Sequence, residues 1–140
     1  MDWVAITPAV VLAALPVGDA AAYAAWIASY PAKDGRLAEI VTGIVDEFRA
    51  GLATNPANVL DEDTTKIPSA CVRHALALVR YALLSEMQSV TLTTHDDSAM
   101  IRSEVFLRML FQGHFDAGGS GDNLPSYDPP DAQAAKEIHA

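Results

Sequence analysis

Residues 34–56 read DGRLAEIVTGIVDEFRAGLATNP, and this stretch decides the fold class. Leu37, Ile40, Val41, Ile44, Val45, Phe48 and Leu52 recur at three- and four-residue steps, so a helix places them in one apolar stripe. Arg36, Glu39, Asp46, Glu47 and Arg49 fall mostly off that stripe. A helix with one greasy face must cover it with other elements, which makes the flanking segments the next question.

Those segments also read as helices. In ITPAVVLAAL, Thr7 is placed to cap and Pro8 takes the first helical position, where its missing amide hydrogen costs nothing. Pro16 and Gly18 are expected to end that helix. DAAAYAAWIASYP follows, with Asp19 as its cap and Tyr23, Trp26, Ile27 and Tyr30 at helical spacing up to Pro31. Such an aromatic cluster belongs to the core or to a subunit interface, and Tyr23, Trp26 and Tyr30 are the interface candidates. Past the polar loop NPANVLDEDTTK and Ile67-Pro68, SACVRHALALVRYALLSEMQ is a further helix with Ser69 as a cap. Val72, Leu76, Val79 and Leu83 share its inner face, widened by Ala75, Leu78 and Ala82, while Arg73 and Arg80 fall at the edge. VTLTTHDD is expected to be a turn or short strand. The last helix runs through DSAMIRSEVFLRMLFQG, with Ile101, Val105 and Met109 in line, Phe106 and Leu110 beside them, and Gly113 as C-cap. The expected fold is all-α, a small bundle of four to five helices over residues 1–116, with an extended arm over 117–140.

Composition narrows the function. A chain of 140 residues holds one core without needing a disulfide or metal. The single Cys71 fits a reducing compartment, and no apolar run approaches the roughly 20 residues that span a bilayer. Asp2 stands where a signal peptide would be basic, so synthesis in the cytoplasm is expected. With 18 acids against 9 bases the net charge is −9, which disfavours a tight grip on nucleic-acid phosphates.

Motifs for catalysis are weak. Cys71 and His74 stand three apart on one helix, but no oxyanion-hole loop or nucleophile elbow accompanies them. His95, Asp96 and Asp97 offer metal ligands only locally, and a helix start explains these acids better. The acids of DEFRAG and LDEDTTK read as a solvated face, and GGSG lacks the Lys-Ser/Thr of a phosphate loop. No cofactor and no catalytic or metal residue is assigned.

The order of segments carries more. TPAVVLAAL, the long amphipathic helix, a polar loop ending in Ile-Pro, and SACVRHALALVRYALL together resemble the adaptor proteins of the head-to-tail connector in long-tailed phages and gene transfer agents. The resemblance spans about residues 5 to 113. Its positions here are Pro68, Ala75, Leu76, Val79, Arg80 and Tyr81, followed by Arg102, Glu104 and Arg108 on a last charged helix. The aromatic second segment and the TNPANVLDEDTTK loop depart from the family pattern. The resemblance implies a homo-oligomeric ring, usually twelvefold, in the virion neck. There it would join the portal to the stopper or tail-completion proteins and pass DNA through its lumen without specific binding, catalysis or membrane contact.

The same resemblance gives the C-terminal stretch a role. A C-terminal extension in this family often reaches the portal, and here Leu124, Pro125, Tyr127, Pro129, Pro130 and Ile138 are the candidate anchors, with glycines for reach and prolines limiting the entropy lost on binding. Two other readings compete with the ring: an acidic helical module for a basic protein partner, and a small helical enzyme using Cys71 and His74. Salt sensitivity of partner binding would mark the first, and rapid alkylation of Cys71 the second.

Overall fold

The computed structural model describes residues 2–117. The elements, in chain order, are β1 (Trp3–Ala5), α1 (Pro8–Ala14), α2 (Val17–Ser29), a 3₁₀ turn (Pro31–Lys33), α3 (Arg36–Ala53), β2 (Lys66–Pro68), α4 (Ser69–Met87) and α5 (Thr94–Phe111). The fold is an all-α bundle in which α3, α4 and α5 pack on one another, with α1 and α2 set against α4. The anchors Leu124, Pro125, Tyr127, Pro129, Pro130 and Ile138 lie outside the described residues.

The α3 stripe forms the centre of this core. Leu37, Ile40, Val41, Val45, Phe48 and Leu52 are buried, and Ile44 is half-buried. Each fully buried side chain of this size stabilises the fold by about 1.5–3 kcal/mol before entropy is counted. On α4 the inner row is Cys71, Ala75, Leu78, Val79 and Leu83, while Val72 and Leu76 sit half-buried at its flank. The stripe on α4 is therefore rotated from the one the sequence suggests, because α1 and β2 cover one side of the helix and α5 the other.

Residues 3–5 and 66–68 pair as a short antiparallel ladder, with Trp3 opposite Pro68 and Ala5 opposite Lys66. Three residues are too few to display alternation, so this pairing left no trace in the sequence pattern. Arg49 locks it in place. Its guanidinium donates to the carbonyls of Asp61 (2.6 Å), Lys66 (2.7 Å) and Asp63 (3.1 Å), and it lies 5.8 Å from the centre of the Trp3 ring. The loop acids serve the same loop: Asp61 accepts from the Asp63 amide, and Asp63 accepts from the amide and hydroxyl of Thr65. The Thr65 hydroxyl and amide together hold the Asp63 carboxyl below the usual range.

Helix boundaries differ from expectation in several places. Thr7 does cap α1, accepting from the Val10 amide at 3.3 Å, but α2 starts directly after Pro16, so Gly18 and Asp19 fall in its first turn. Ser69 caps nothing: Pro68 precedes the helix, and the Ser69 amide donates to the Asp2 carbonyl at 2.8 Å. VTLTTHDD contains no strand. Thr93 and Asp96 form a reciprocal capping box, with Asp96 N–H to Thr93 Oγ1 at 3.2 Å and Thr93 N–H to Asp96 Oδ2 at 2.9 Å. At the other end Gly113, at φ 74°, donates to Leu110 and His114 donates to Met109, which is the Schellman closure that a left-handed glycine permits.

The chain after α5 turns back into the body. Asn58, itself buried, donates to the carbonyls of Leu52 (2.8 Å) and Phe115 (2.9 Å) and accepts from the Ala117 amide. Ala117, which the sequence reading gives to the arm, is buried in the bundle.

Candidate partner-binding surface

On α5 the expected inner line is turned outward. Ile101 is 55% exposed and Val105 52%, Met109 is half-buried, and the true inner row is Asp96, Ser103, Phe106 and Leu110. The capping box marks where the helix begins, while the face it turns inward is set by partners on α4. Asp96 then faces Arg80 and Ser103 faces His74, so polar contacts displace the aliphatic line from the interior.

This rotation leaves a groove of about 630 Å³ over α3, α4 and α5. Its floor and walls are mainly Ile44, Leu78, Ala82, Met100, Leu107 and Phe111, while Glu47, Glu104 and Arg108 place charge at the same site. Phe111 is 47% exposed, and Ile101 and Val105 extend the apolar surface one row further along α5.

A second apolar surface lies on α2. Ala21, Ala24, Ala25 and Ala28 are exposed, and Val17 at the helix start is 87% exposed, so this face carries no charge and no long side chain. The groove opens beside Leu78 and Ala82, whereas Arg80, two residues from each, reaches α2 through Asp19; a two-residue step turns about 200° around a helix. The two surfaces therefore lie on opposite sides of α4. Of the aromatic interface candidates, Trp26 is buried in the core, Tyr23 packs partly buried with its ring 6.2 Å from that of Trp26, and Tyr30 is exposed.

Arg80 does not escape to the edge. It joins three helices, donating from Nε to Asp19 of α2 at 2.9 Å and from Nη1 to Asp96 of α5. Both carboxylates are largely withdrawn from water. The Thr93 amide first, and then the Arg80 guanidinium, hold the Asp96 carboxyl down at about 2.

The catalytic and metal candidates sit in different surroundings. Cys71 is buried, and that burial pushes its thiol up to about 12, so it keeps its proton at neutral pH. His74 turns its Nδ1 to Ser103 Oγ at 3.1 Å and stacks on Phe106 with ring centres 4.2 Å apart. Asp96 is engaged by Thr93 and Arg80, and Asp97 accepts from the Tyr81 hydroxyl at 3.0 Å. Among the described residues no three His, Cys, Asp or Glu side chains group to hold a metal. Cys71 in the folded protein is expected to react with a disulfide reagent at pH 8 at least 100-fold more slowly than after unfolding in urea, because only the thiolate attacks.

No protein-family model matches the chain, and neither a curated protein nor a solved structure matches it. No helix among the described residues is long and apolar enough to cross a membrane.

Proposed function

We propose that the chain is a structural subunit of a head-to-tail adaptor ring, which joins a portal to stopper or tail proteins and lines a passage for DNA without acting on it. The observation that carries this reading is the pair of apolar surfaces left open among the described residues on opposite sides of α4, the concave groove and the flat alanine face of α2. A contact between two different surfaces is heterologous, and repeated with a rotation that divides a full turn it closes into a ring. Alanines suit the role because they let one helix sit deep in a groove. The net charge of −9 suits a passage that must not retain phosphates. The protonated, buried Cys71 supports a non-catalytic role over the thiol-enzyme reading.

Sedimentation of the full chain, alone and with its portal, tests this. The wild type is expected to form a ring in at least one of the two conditions. Val105→Asp with Phe111→Asp on the groove side, or Ala24→Asp with Ala28→Asp on α2, should each weaken association more than 100-fold. An equimolar mixture of the two variants keeps one good pair of surfaces and should stop at a dimer. A wild-type monomer that ignores portal at high concentration overturns the proposal.

A further inference from the structure

Two hollows flank α4 and share one wall. The first, of about 220 Å³, lies between α4 and α5 and is lined by Arg73, His74 and Ala77 from the one helix and by Ala99, Arg102 and Ser103 from the other. Residues three or four apart share a helix face, which brings each trio together, and Ala77 and Ala99 carry only a methyl group, which leaves depth between the helices. No acidic side chain among the described residues lines this hollow. Its inner wall is fixed, because His74 Nδ1 lies 3.1 Å from the hydroxyl of the buried Ser103 and the His74 ring stacks on Phe106. Burial first, and then the fields of Arg73 and Arg102, lower the pKa of His74, so the charge facing the hollow is that of two guanidiniums. In a chain of net charge −9 an anion is held only where local cations outweigh the whole, and this hollow supplies two of them.

The second hollow, of about 240 Å³, lies between α1 and α4. Arg73 and Ala77 border it as well, and apart from Arg80 the rest is aliphatic, from Val11, Ala14, Leu15 and Leu76. The Arg80 guanidinium is paired with Asp19 and Asp96, which leaves Arg73 as the cation that the two hollows offer in common. A guanidinium fork takes a carboxylate through two parallel hydrogen bonds, and an aliphatic wall takes the carbons attached to it. A bare phosphate ion would use the first hollow and leave the second unfilled.

We propose that the two hollows form one binding site for an aliphatic carboxylate, with the charged group held by Arg73 and Arg102 and the hydrocarbon chain against Val11, Leu15 and Leu76. A free short-chain acid and the apolar C-terminal residue of another protein present this same chemistry. The site uses neither the groove nor the α2 face, so it does not depend on the ring.

Titration of the full chain with sodium hexanoate, followed by NMR at the His74 ring and at the methyl groups of Val11, Leu15 and Leu76, tests the proposal. Saturable shifts at both sets of resonances are expected. Each methylene buried in the second hollow tightens binding about three- to fourfold, so butyrate should bind about tenfold more weakly than hexanoate. Hexanamide, which keeps the chain and loses the charge, should bind about 30-fold more weakly. Arg73→Gln with Arg102→Gln should weaken hexanoate to a similar degree while leaving the urea midpoint unchanged, since both side chains are exposed. Ala77→Leu, which fills the wall the hollows share, should block binding with both arginines in place. An acetylated tripeptide ending in leucine, compared with its C-terminal amide, separates the two sources. Tighter binding by the acid form of the peptide than by hexanoate points to a protein terminus, and the reverse order to a free acid. Inorganic phosphate binding as tightly as hexanoate marks a small-anion site and overturns the proposal. So do shifts that never saturate, an affinity indifferent to chain length, or hexanoate binding that survives both sets of substitutions.

Discussion

Arg80→Ala is expected to lower the free energy of unfolding by about 3–5 kcal/mol, measured by urea denaturation. The loss comes from what is left behind: Asp19 and Asp96, 13% and 8% exposed at their side chains, keep their charges with no cation between them. Arg80→Lys keeps the charge but lacks the fork that serves two carboxylates at once, so a smaller loss of about 1–2 kcal/mol is expected. Acid gives an independent check. Asp96 is depressed in the folded state from 3.8 to about 2, so its contribution is complete above about pH 4 and is lost as the pH falls through about 2. That contribution is of the order of 1–2 kcal/mol after allowing for screening by nearby water. In the Arg80→Ala variant the acid transition should move upward, because Asp96 then retains its backbone hydrogen bond but not the guanidinium.

Gly51→Val is expected to cost about 3 kcal/mol, and Gly51→Ala up to about 2 kcal/mol. A Cβ on Gly51 would come within 2.9 Å of Leu110 Cβ and 3.3 Å of the Phe111 ring. The ring end can swing away. Leu110 Cβ cannot move without α5 moving, and the Thr54 hydroxyl, 2.7 Å from the Gly51 carbonyl and 2.8 Å from that of Leu110, ties the two helices at this crossing. Gly43 on the same helix has nothing within 4 Å of a built Cβ, so Gly43→Ala should stabilise by up to about 1 kcal/mol through helix propensity. Opposite signs at two glycines of one helix separate packing from propensity, and calorimetry on the two alanine variants reads them directly.

The groove was not foreseen, and the reason is specific. Ile101, Val105 and Met109 share a line at four-residue spacing, and such a line ordinarily faces the core. On α5 it loses to Asp96 and Ser103, whose partners Arg80 and His74 come from a helix earlier in the chain. The same blindness covers Asn58, whose place in a polar loop gives no sign that it holds the chain's exit, and Arg49, which reads as a surface charge but organises the loop and the strand pair.

From the sequence alone came the helical class, the α3 stripe from Leu37 to Leu52, the Thr7 and Gly113 boundaries and the acidic balance, because each is written within a few neighbouring residues. The outward rotation of α5, the Arg80 link between three helices, the β1–β2 pair and the contact of His74 with Ser103 and Phe106 were decided only in three dimensions. These depend on residues meeting across 16 to 65 positions of chain, and a periodicity records which face of a helix is apolar but not which polar partner will claim it.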